Sequence, residues 1–184
     1  MKFLTRSGLG VLPIILIIAA ILVSLPFPFL GRQWHLLMHI LGAVLFIGNI
    51  TVTAAWMILV VRSGQAKLVH FGARAVNQAD LLFTVPGVLL IFLNGLTLAP
   101  AFGGTPWSVS WIAAALALLI LSGIVWLWFL LRYQNQMVEL SASGEQLSAK
   151  FMLVFRNWGI WGGIATVLPI ISLVLMVFKP TLWG

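Results

Sequence analysis

The sequence predicts an all-α integral membrane protein, a helical bundle of five transmembrane helices that forms a single domain over residues 1–184. Hydrophobic residues make up 62% of the chain and charged residues only 7%, whereas soluble domains have about 45–50% apolar and about 25% charged residues. The apolar residues also fall into five long runs, and a helix needs roughly 20 such residues to cross hydrocarbon. A chain of this composition has too little polar surface to cover a water-soluble globule.

Each predicted helix begins and ends near charged residues, prolines or glycines. The first run, residues 8–30, follows Lys2 and Arg6 and exceeds the roughly 7–15 apolar residues of a signal peptide, so it is interpreted as an uncleaved transmembrane helix. The second run, residues 34–62, closes at Arg62. The third and fourth, residues 81–102 and 107–131, are joined by a glycine-rich turn, and the fifth, residues 151–178, stops at Lys179 and Pro180.

Two polar segments separate these runs. Residues 64–79 carry Lys67, His70, Arg74 and Asn77 at helical spacing on one face, a pattern typical of a short amphipathic helix that lies in the lipid headgroup region. Residues 132–150 are rich in polar side chains and are interpreted as a solvated loop that is helical near its start.

The basic residues predict the orientation. If the N-terminus is inside, eight of the ten Lys and Arg residues face the cytoplasm, and the positive-inside rule favours that choice. The cytoplasmic set is Lys2, Arg6, Arg62, Lys67, Arg74, Arg132, Lys150 and Arg156, and the opposite set is Arg32 and Lys179. We therefore expect a protein of the bacterial inner (plasma) membrane with a cytoplasmic N-terminus and a periplasmic or extracellular C-terminus. The net charge of +7 is attributed to this asymmetry and to anionic lipids as partners, not to nucleic acid.

Several kinds of chemistry are excluded or unsupported. The chain has no cysteine, which excludes disulfides, thiolate metal sites, iron–sulfur clusters and cysteine nucleophiles. No nucleophile-elbow, zinc-protease, phosphate-loop or dinucleotide-binding motif occurs. The sequence therefore assigns no catalytic residue.

Polar and small residues form a stripe on each of two predicted helices. On the second helix the stripe lies within roughly an 80° arc and consists of His35, His39, Gly42, Phe46, Asn49 and Thr53. On the third helix it consists of Asp80, Thr84, Gly87, Ile91 and Asn94. Because polar side chains are costly in hydrocarbon, both stripes are expected to face protein. Gly159 and Gly163 have a spacing that permits close helix packing, within the bundle or across a homodimer.

The histidines near the outer end of the second helix are the main candidates for a cofactor site. His35 and His39 are one turn apart, Met38 lies between them, and Met176 reaches a similar depth. Imidazoles and thioethers together suit copper, which gives His35, His39, Met38 and Met176 as candidate metal ligands. A single imidazole with a second axial ligand suits haem b, which gives His39, Met176, Asn49 and Asn94 as candidate cofactor-binding residues. The alternative is that the histidines are hydrogen-bonded boundary residues and that no cofactor binds.

A second polar cluster is predicted at the inner face. Its members are His70, Arg74, Asn77, Asp80 and Arg156. Asp80 has Arg74 and Arg156 as possible ion-pair partners. The cluster is interpreted as an anchor for lipid phosphates, with an anion site or the entry of a proton relay as the alternative.

Three segments carry a resemblance to a known group. They are residues 39–49 (HILGAVLFIGN), residues 73–87 (ARAVN through DLLFTVPG) and residues 175–180 (LMVFKP). Together they resemble an uncharacterised family of bacterial integral membrane proteins, over most of the chain beyond the first helix. This family has no assigned function, so the resemblance implies a fold only.

The pattern around His39 is also similar, more distantly, to HemJ-type protoporphyrinogen oxidases and to the membrane domain of copper-resistance protein D. HemJ-type proteins are regarded as haem-binding, so this similarity implies a role in haem binding for His39. The intramembrane lysine of the HemJ-type pattern has no counterpart here, which leaves porphyrinogen oxidation without support.

Three functional hypotheses result. The leading one is a b-type haem or another redox cofactor held near the outer leaflet by His39. The second is copper handling by the His and Met residues named above. The third is a cofactor-free protein that binds lipid, transports a small solute or has a structural role.

Overall fold

The computed structural model describes residues 10–26, 30–142 and 147–183, and within them the fold is five helices. The helices are α1 (Leu12–Val23), α2 (Arg32–Arg62), α3 (Ala66–Phe102), α4 (Ser110–Leu140) and α5 (Ala149–Phe178). The last four are long and apolar enough to cross a membrane, and α1 is a shorter apolar helix. The predicted all-α membrane bundle is thereby confirmed.

Three helix boundaries differ clearly from the predicted ones, and the first is the end of α1, which lies at Val23 instead of residue 30. Helix α3 begins at Ala66 instead of residue 81, and α4 continues to Leu140 instead of ending at 131. These two extensions pack against each other through buried residues such as Val69, Val76 and Met137. The sequence predicts that residues 64–79 form an amphipathic helix in the lipid headgroup region, whereas the structure buries one face of this segment against α4. Helix α1 is described from Leu12, and the predicted start of its run at residues 8 and 9, with Lys2, Arg6 and residues 27–29, lies outside the described residues.

The long helices alternate in direction and form two hairpins, α2 with α3 and α4 with α5. One end of the bundle, which we call the Arg32 end, holds the start of α2 and the end of α5. There the Arg32 guanidinium lies 5.8 Å and the Lys179 ammonium 5.0 Å from the centre of the Phe102 ring. The opposite end, the Arg62 end, holds the joined extensions of α3 and α4.

The two predicted stripes meet along the α2–α3 hairpin. Gly42 and Gly87 are in backbone contact: a Cβ built on Gly42 would lie 2.7 Å from the Gly87 carbonyl oxygen, and one built on Gly87 would lie 3.0 Å from the Gly42 carbonyl oxygen. Only glycine allows this approach. On one side of the crossing His39 reaches the Ile91 carbonyl, and on the other Asn49 reaches Thr84. The expectation that both stripes face protein is confirmed.

Serine hydroxyls join α4 to α5. Ser122 donates to the Ala165 carbonyl at 2.7 Å and Ser172 donates to the Ala115 carbonyl at 3.0 Å. In contrast, nothing lies within 4 Å of a Cβ built on Gly159 or Gly163. The predicted small-residue spacing therefore makes no close helix contact within the described chain.

Each of two helices contains one π-helical turn, Asp80–Thr84 in α3 and Trp126–Leu130 in α4. A π turn inserts one residue into the helix and rotates the next turns about the axis, and such turns are frequent at functional sites. The first residues of the two turns, Asp80 and Trp126, are hydrogen-bonded to each other at 3.3 Å. The two irregular turns thus lie opposite each other, where the two hairpins come together.

Candidate functional site

His39 lies on α2 in the contact with α3, one turn from the glycine crossing. Its Nδ1 is 2.8 Å from the carbonyl oxygen of Ile91, and a carbonyl can only accept. Nδ1 therefore carries the proton, and in the neutral ring Nε2 keeps its lone pair. Gly95 of α3 makes room for the ring, because a Cβ at that position would lie 3.1 Å from Cε1 of His39.

This histidine lines a cavity of about 600 Å3 between the two hairpins at the Arg32 end. We call it the His39 cavity. Most of its wall is apolar, and Met176 of α5 lines it together with His39. Arg32 and Lys179 also line it, so two cations border a largely apolar space.

His35 belongs to a different set of contacts. It is buried, and its Nδ1 lies 2.8 Å from Oδ1 of Asn94. The fully buried Asn94 amide in turn donates to Ser24 Oγ at 2.7 Å and to the Leu90 carbonyl at 2.9 Å. This chain of bonds ties α1 to the α2–α3 hairpin, and neither His35 nor Asn94 is among the residues that line the His39 cavity.

The four residues predicted as copper ligands are not brought together. Met38 packs with Ala20 and Leu90, towards α1, whereas Met176 packs with a separate cluster at the end of α3 and the start of α4. Within the described ranges, no group of three or more His, Asp or Glu side chains is close enough to hold a metal ion. Of the predicted set, only His39 and Met176 share a cavity.

Asp80 is the centre of a second polar site, nearer the Arg62 end. It is 5% exposed, and its Oδ1 accepts from Asn49 Nδ2 at 3.1 Å and from Thr84 Oγ1 at 2.9 Å. Its Oδ2 accepts from Gln134 Nε2 at 2.8 Å and from Trp126 Nε1 at 3.3 Å. All four partners are neutral, and they come from α2, α3 and α4. Asn49, predicted as a cofactor residue, therefore lies in this site and not at the His39 cavity.

The other members of the predicted inner-face cluster are spread out. His70 Nδ1 contacts the Val138 carbonyl at 3.1 Å and Ser141 Oγ at 3.2 Å, and Asn77 donates to Asn135 at 3.4 Å. Both contacts link α3 to the extension of α4. Arg74 is exposed, and Arg156 is exposed but borders the same cavity as Asp80. The hydrogen bonds of Asp80 go to neutral side chains instead of to either arginine.

That second cavity, the Asp80 cavity, has a volume of about 800 Å3 and lies between the hairpins on the Arg62 side of the first. Phe46 and Leu119 line both cavities and lie at the boundary between them. Gln134 and Trp158, which line the Asp80 cavity, each have one buried polar atom with no hydrogen-bond partner in the described chain: Gln134 Oε1 and Trp158 Nε1.

Sequence reasoning missed the roles of Trp126, Gln134 and Trp158. Gln134 falls at the helical start of a segment interpreted as solvated, and its burial was not expected, although Trp126, Leu130, Gln134 and Met137 recur at the spacing of one helix face. That periodicity was the available signal. No comparable signal marks the two tryptophans, because nothing in the sequence distinguishes a buried tryptophan from one at the membrane boundary.

These observations define a multi-pass integral membrane protein with two cavities between its helical hairpins, one bordered by a histidine and one by an aspartate. The chain belongs to the family described as predicted integral membrane protein (DUF2269), a family of unknown function whose model matches residues 35–180. No curated protein and no solved structure matches the chain. The similarity to HemJ-type proteins and to copper-resistance protein D stays a prediction.

Proposed function

We propose that the protein holds a b-type haem, or a redox cofactor of similar shape, in the His39 cavity. The observation that carries the proposal is the state of the His39 ring. Its Nδ1 is committed to the Ile91 carbonyl at 2.8 Å, which leaves Nε2 as a free ligand atom beside the cavity. Histidines that bind metals are commonly fixed in this way, by a hydrogen bond from the other ring nitrogen to a carbonyl.

The lining of the cavity fits the cofactor. A largely apolar wall suits the porphyrin face, and Arg32 and Lys179 supply positive charge for two propionate groups. Met176 lines the same space and would hold the iron together with His39, since a His–Met pair is an established way to hold haem iron. When bound, haem would supply one-electron transfer.

The proposal also states on which side of the membrane the cofactor lies. With eight of ten basic residues assigned to the cytoplasm, the Arg32 end faces the periplasm or the cell exterior of a bacterial inner membrane. A cofactor at His39 then lies near the outer leaflet.

An absorption spectrum of the purified protein, oxidised and then reduced with dithionite, tests the proposal. Protein made in cells with ample haem should show a Soret band and, on reduction, α and β bands. His39→Ala should lose these bands. His70→Ala is the matched control because His70 is also half-buried with Nδ1 at a backbone carbonyl, but lies towards the Arg62 end.

Two results would contradict the proposal. One is a featureless visible spectrum of the wild type from haem-replete cells. The other is a His39→Ala protein with the haem content of the wild type.

Copper is the less favoured alternative, because Met38 and Met176 belong to separate clusters. Elemental analysis after copper loading distinguishes it: equal copper in wild type and in the His35/His39 double alanine variant excludes a site at these histidines. The cofactor-free alternative, with lipid or a small solute as partner, is supported by the Asp80 cavity.

A further inference from the structure

We propose that the Asp80 cavity binds one anionic phospholipid, whose phosphate group is held by Arg156 and one of whose acyl chains lies between the two hairpins. This proposal does not depend on haem at His39. It rests on the charges of the cavity wall, on the depth of Arg156 in the bundle and on the apolar lining of the cavity.

Arg156 is a cation on the wall of this cavity. Its side chain is exposed and lines the cavity, and within residues 10–26, 30–142 and 147–183 it forms neither an ion pair nor a hydrogen bond. A guanidinium group presents its N–H donors in a planar fork that fits two oxygens of one phosphate. An anion is therefore the ligand that this side chain favours.

Asp80 lines the same cavity, and its charge would oppose an anion. Its carboxyl group is 5% exposed, and each of its two oxygens accepts two hydrogen bonds from the protein. The donors lie on α2, α3 and α4, whereas Arg156 lies on α5. Because donors enclose Asp80 while Arg156 is open, the charge that a ligand can contact on this wall is positive.

The wider surface towards the Arg62 end is also positive. Within the described residues, two carboxyl groups belong to this half of the bundle, those of Asp80 and Glu139. The basic residues of the same half are Arg62, Lys67, Arg74, Arg132, Lys150 and Arg156. This excess repels the quaternary ammonium of a zwitterionic headgroup and favours a lipid with a net negative charge.

Arg156 lies close to the level of the lipid headgroups. Helix α5 has 30 residues and is therefore about 45 Å long, compared with about 30 Å for the hydrocarbon core. A centred helix of this length extends about 7 Å beyond the core at each end. Arg156 is about 10 Å from the first residue of the helix, Ala149, and its long side chain brings the guanidinium group towards the phosphates.

The rest of the cavity fits an acyl chain. Its volume is about 800 Å3, and most of its lining residues are apolar. The lining residues Gly159, Gly163 and Ile170 follow Arg156 along α5 towards the Arg32 end, and all three are exposed. Nothing lies within 4 Å of a Cβ built on either glycine. An acyl chain can therefore enter sideways from the bilayer and lie against this part of α5.

Photolabelling of the full-length protein in phosphatidylcholine vesicles tests the proposal. The probe is phosphatidylglycerol with a diazirine in one acyl chain, and mass spectrometry should find adducts on lining residues such as Thr166 and Ile170. The matched probe is phosphatidylcholine with the same diazirine chain. It should give roughly fivefold fewer of these adducts, the ratio that corresponds to an attraction of about 1 kcal/mol between a basic residue and an anionic lipid.

A pair of variants assigns the phosphate to Arg156. Arg156→Gln removes the cation and should reduce the cavity adducts of phosphatidylglycerol about 10-fold, because a hydrogen bond to a charged group is stronger than one to a neutral group. Arg74→Gln is the matched control, since Arg74 is also exposed but is not among the lining residues. It should leave these adducts unchanged. The comparison of the two probes on the wild type needs no variant to fold.

A second pair locates the acyl chain. Gly163→Trp places a large ring on the wall beyond Arg156, and the adducts at Thr166 and Ile170 should be lost. Gly48→Trp is the matched control, because Gly48 also has open space at its Cβ position but lines the His39 cavity. It should leave the adducts in place.

Five results would overturn the proposal. Adducts confined to residues outside the cavity would show that the lipid does not enter it. Equal labelling by the two probes would remove the role of the negative headgroup, and equal labelling of Arg156→Gln and Arg74→Gln would remove that of Arg156. Unchanged adducts in Gly163→Trp would place the chain elsewhere. Loss of the wild-type adducts on addition of inorganic phosphate would indicate a site for a free anion instead of a lipid.

Discussion

Replacing Gly42 by alanine tests the glycine crossing that holds α2 against α3. The new Cβ would lie 2.7 Å from the Gly87 carbonyl oxygen and 2.8 Å from the Ile91 nitrogen. Both are backbone atoms, so a change of rotamer cannot relieve the contact. Ordinary contacts of a Cβ begin at 3.4 Å, and the helices must therefore separate locally by about 0.7 Å.

That separation affects the hydrogen bonds on both sides of the crossing. The His39–Ile91 and Asn49–Thr84 bonds are each 2.8 Å long, and a shift of this size brings them to about 3.5 Å, beyond good geometry. Overpacking costs about 1–3 kcal/mol, and each interhelical hydrogen bond in a membrane adds about 0.6 kcal/mol. The higher helix propensity of alanine relative to glycine offsets about 1 kcal/mol of this cost. We expect Gly42→Ala to lower the free energy of unfolding by about 1–3 kcal/mol.

Reversible unfolding in mixed detergent and dodecyl sulfate micelles, followed by tryptophan fluorescence, measures this change. Gly48→Ala is the matched control on the same helix, because nothing lies within 4 Å of a Cβ built there. That variant should be unchanged or up to about 1 kcal/mol more stable. Equal stabilities of the two variants would refute the close crossing of α2 and α3.

Three further changes test the polar contacts. Asn94→Leu leaves the His35 ring without its partner and should lower the free energy of unfolding by about 1–3 kcal/mol; a wild-type unfolding curve would contradict that. Gly95→Ala puts a methyl group against the His39 ring, 3.1 Å from Cε1, and should weaken haem binding about 10-fold or more, measured by haem titration; unchanged affinity would argue against His39 as the ligand. Asp80→Asn replaces one carboxylate oxygen, which accepts from two donors, by an NH2 group that cannot accept. It should lower the free energy of unfolding by about 1–3 kcal/mol, and a variant as stable as the wild type would show that this network contributes little.

Much of the fold could be predicted because the relevant physics is local. Apolar runs of sufficient length gave α2 to α5, and the period of 3.6 residues placed Gly42 and Asn49 on one face. Gly87 fell on the corresponding face of α3 by the same reasoning. The structure brings these faces together.

The site was less predictable because its partners are far apart in sequence. Gln134 reaches Asp80 across 54 residues, and the pairing of Ser24 with Asn94 spans 70. Periodicity says which face of a helix a residue occupies but not which other helix packs there. His35 and His39, which the sequence groups in one candidate metal site, both bond to α3 but to different residues: His35 bonds to Asn94, His39 bonds to Ile91, and His39 alone of the two lines the cavity.

The distribution of the Asp80 partners has a consequence for the synthesis of the protein. Asn49 and Thr84 lie on the first hairpin and satisfy Oδ1, whereas Trp126 and Gln134 lie on α4 and satisfy Oδ2. A nascent chain that ends before α4 carries a carboxyl group with only half of its final contacts, in a membrane-spanning helix where an unpaired acid is costly. Insertion of α4 completes the contacts. Until then the first hairpin holds a carboxyl group that is only half paired, so the hairpin alone is a less stable unit than the finished bundle.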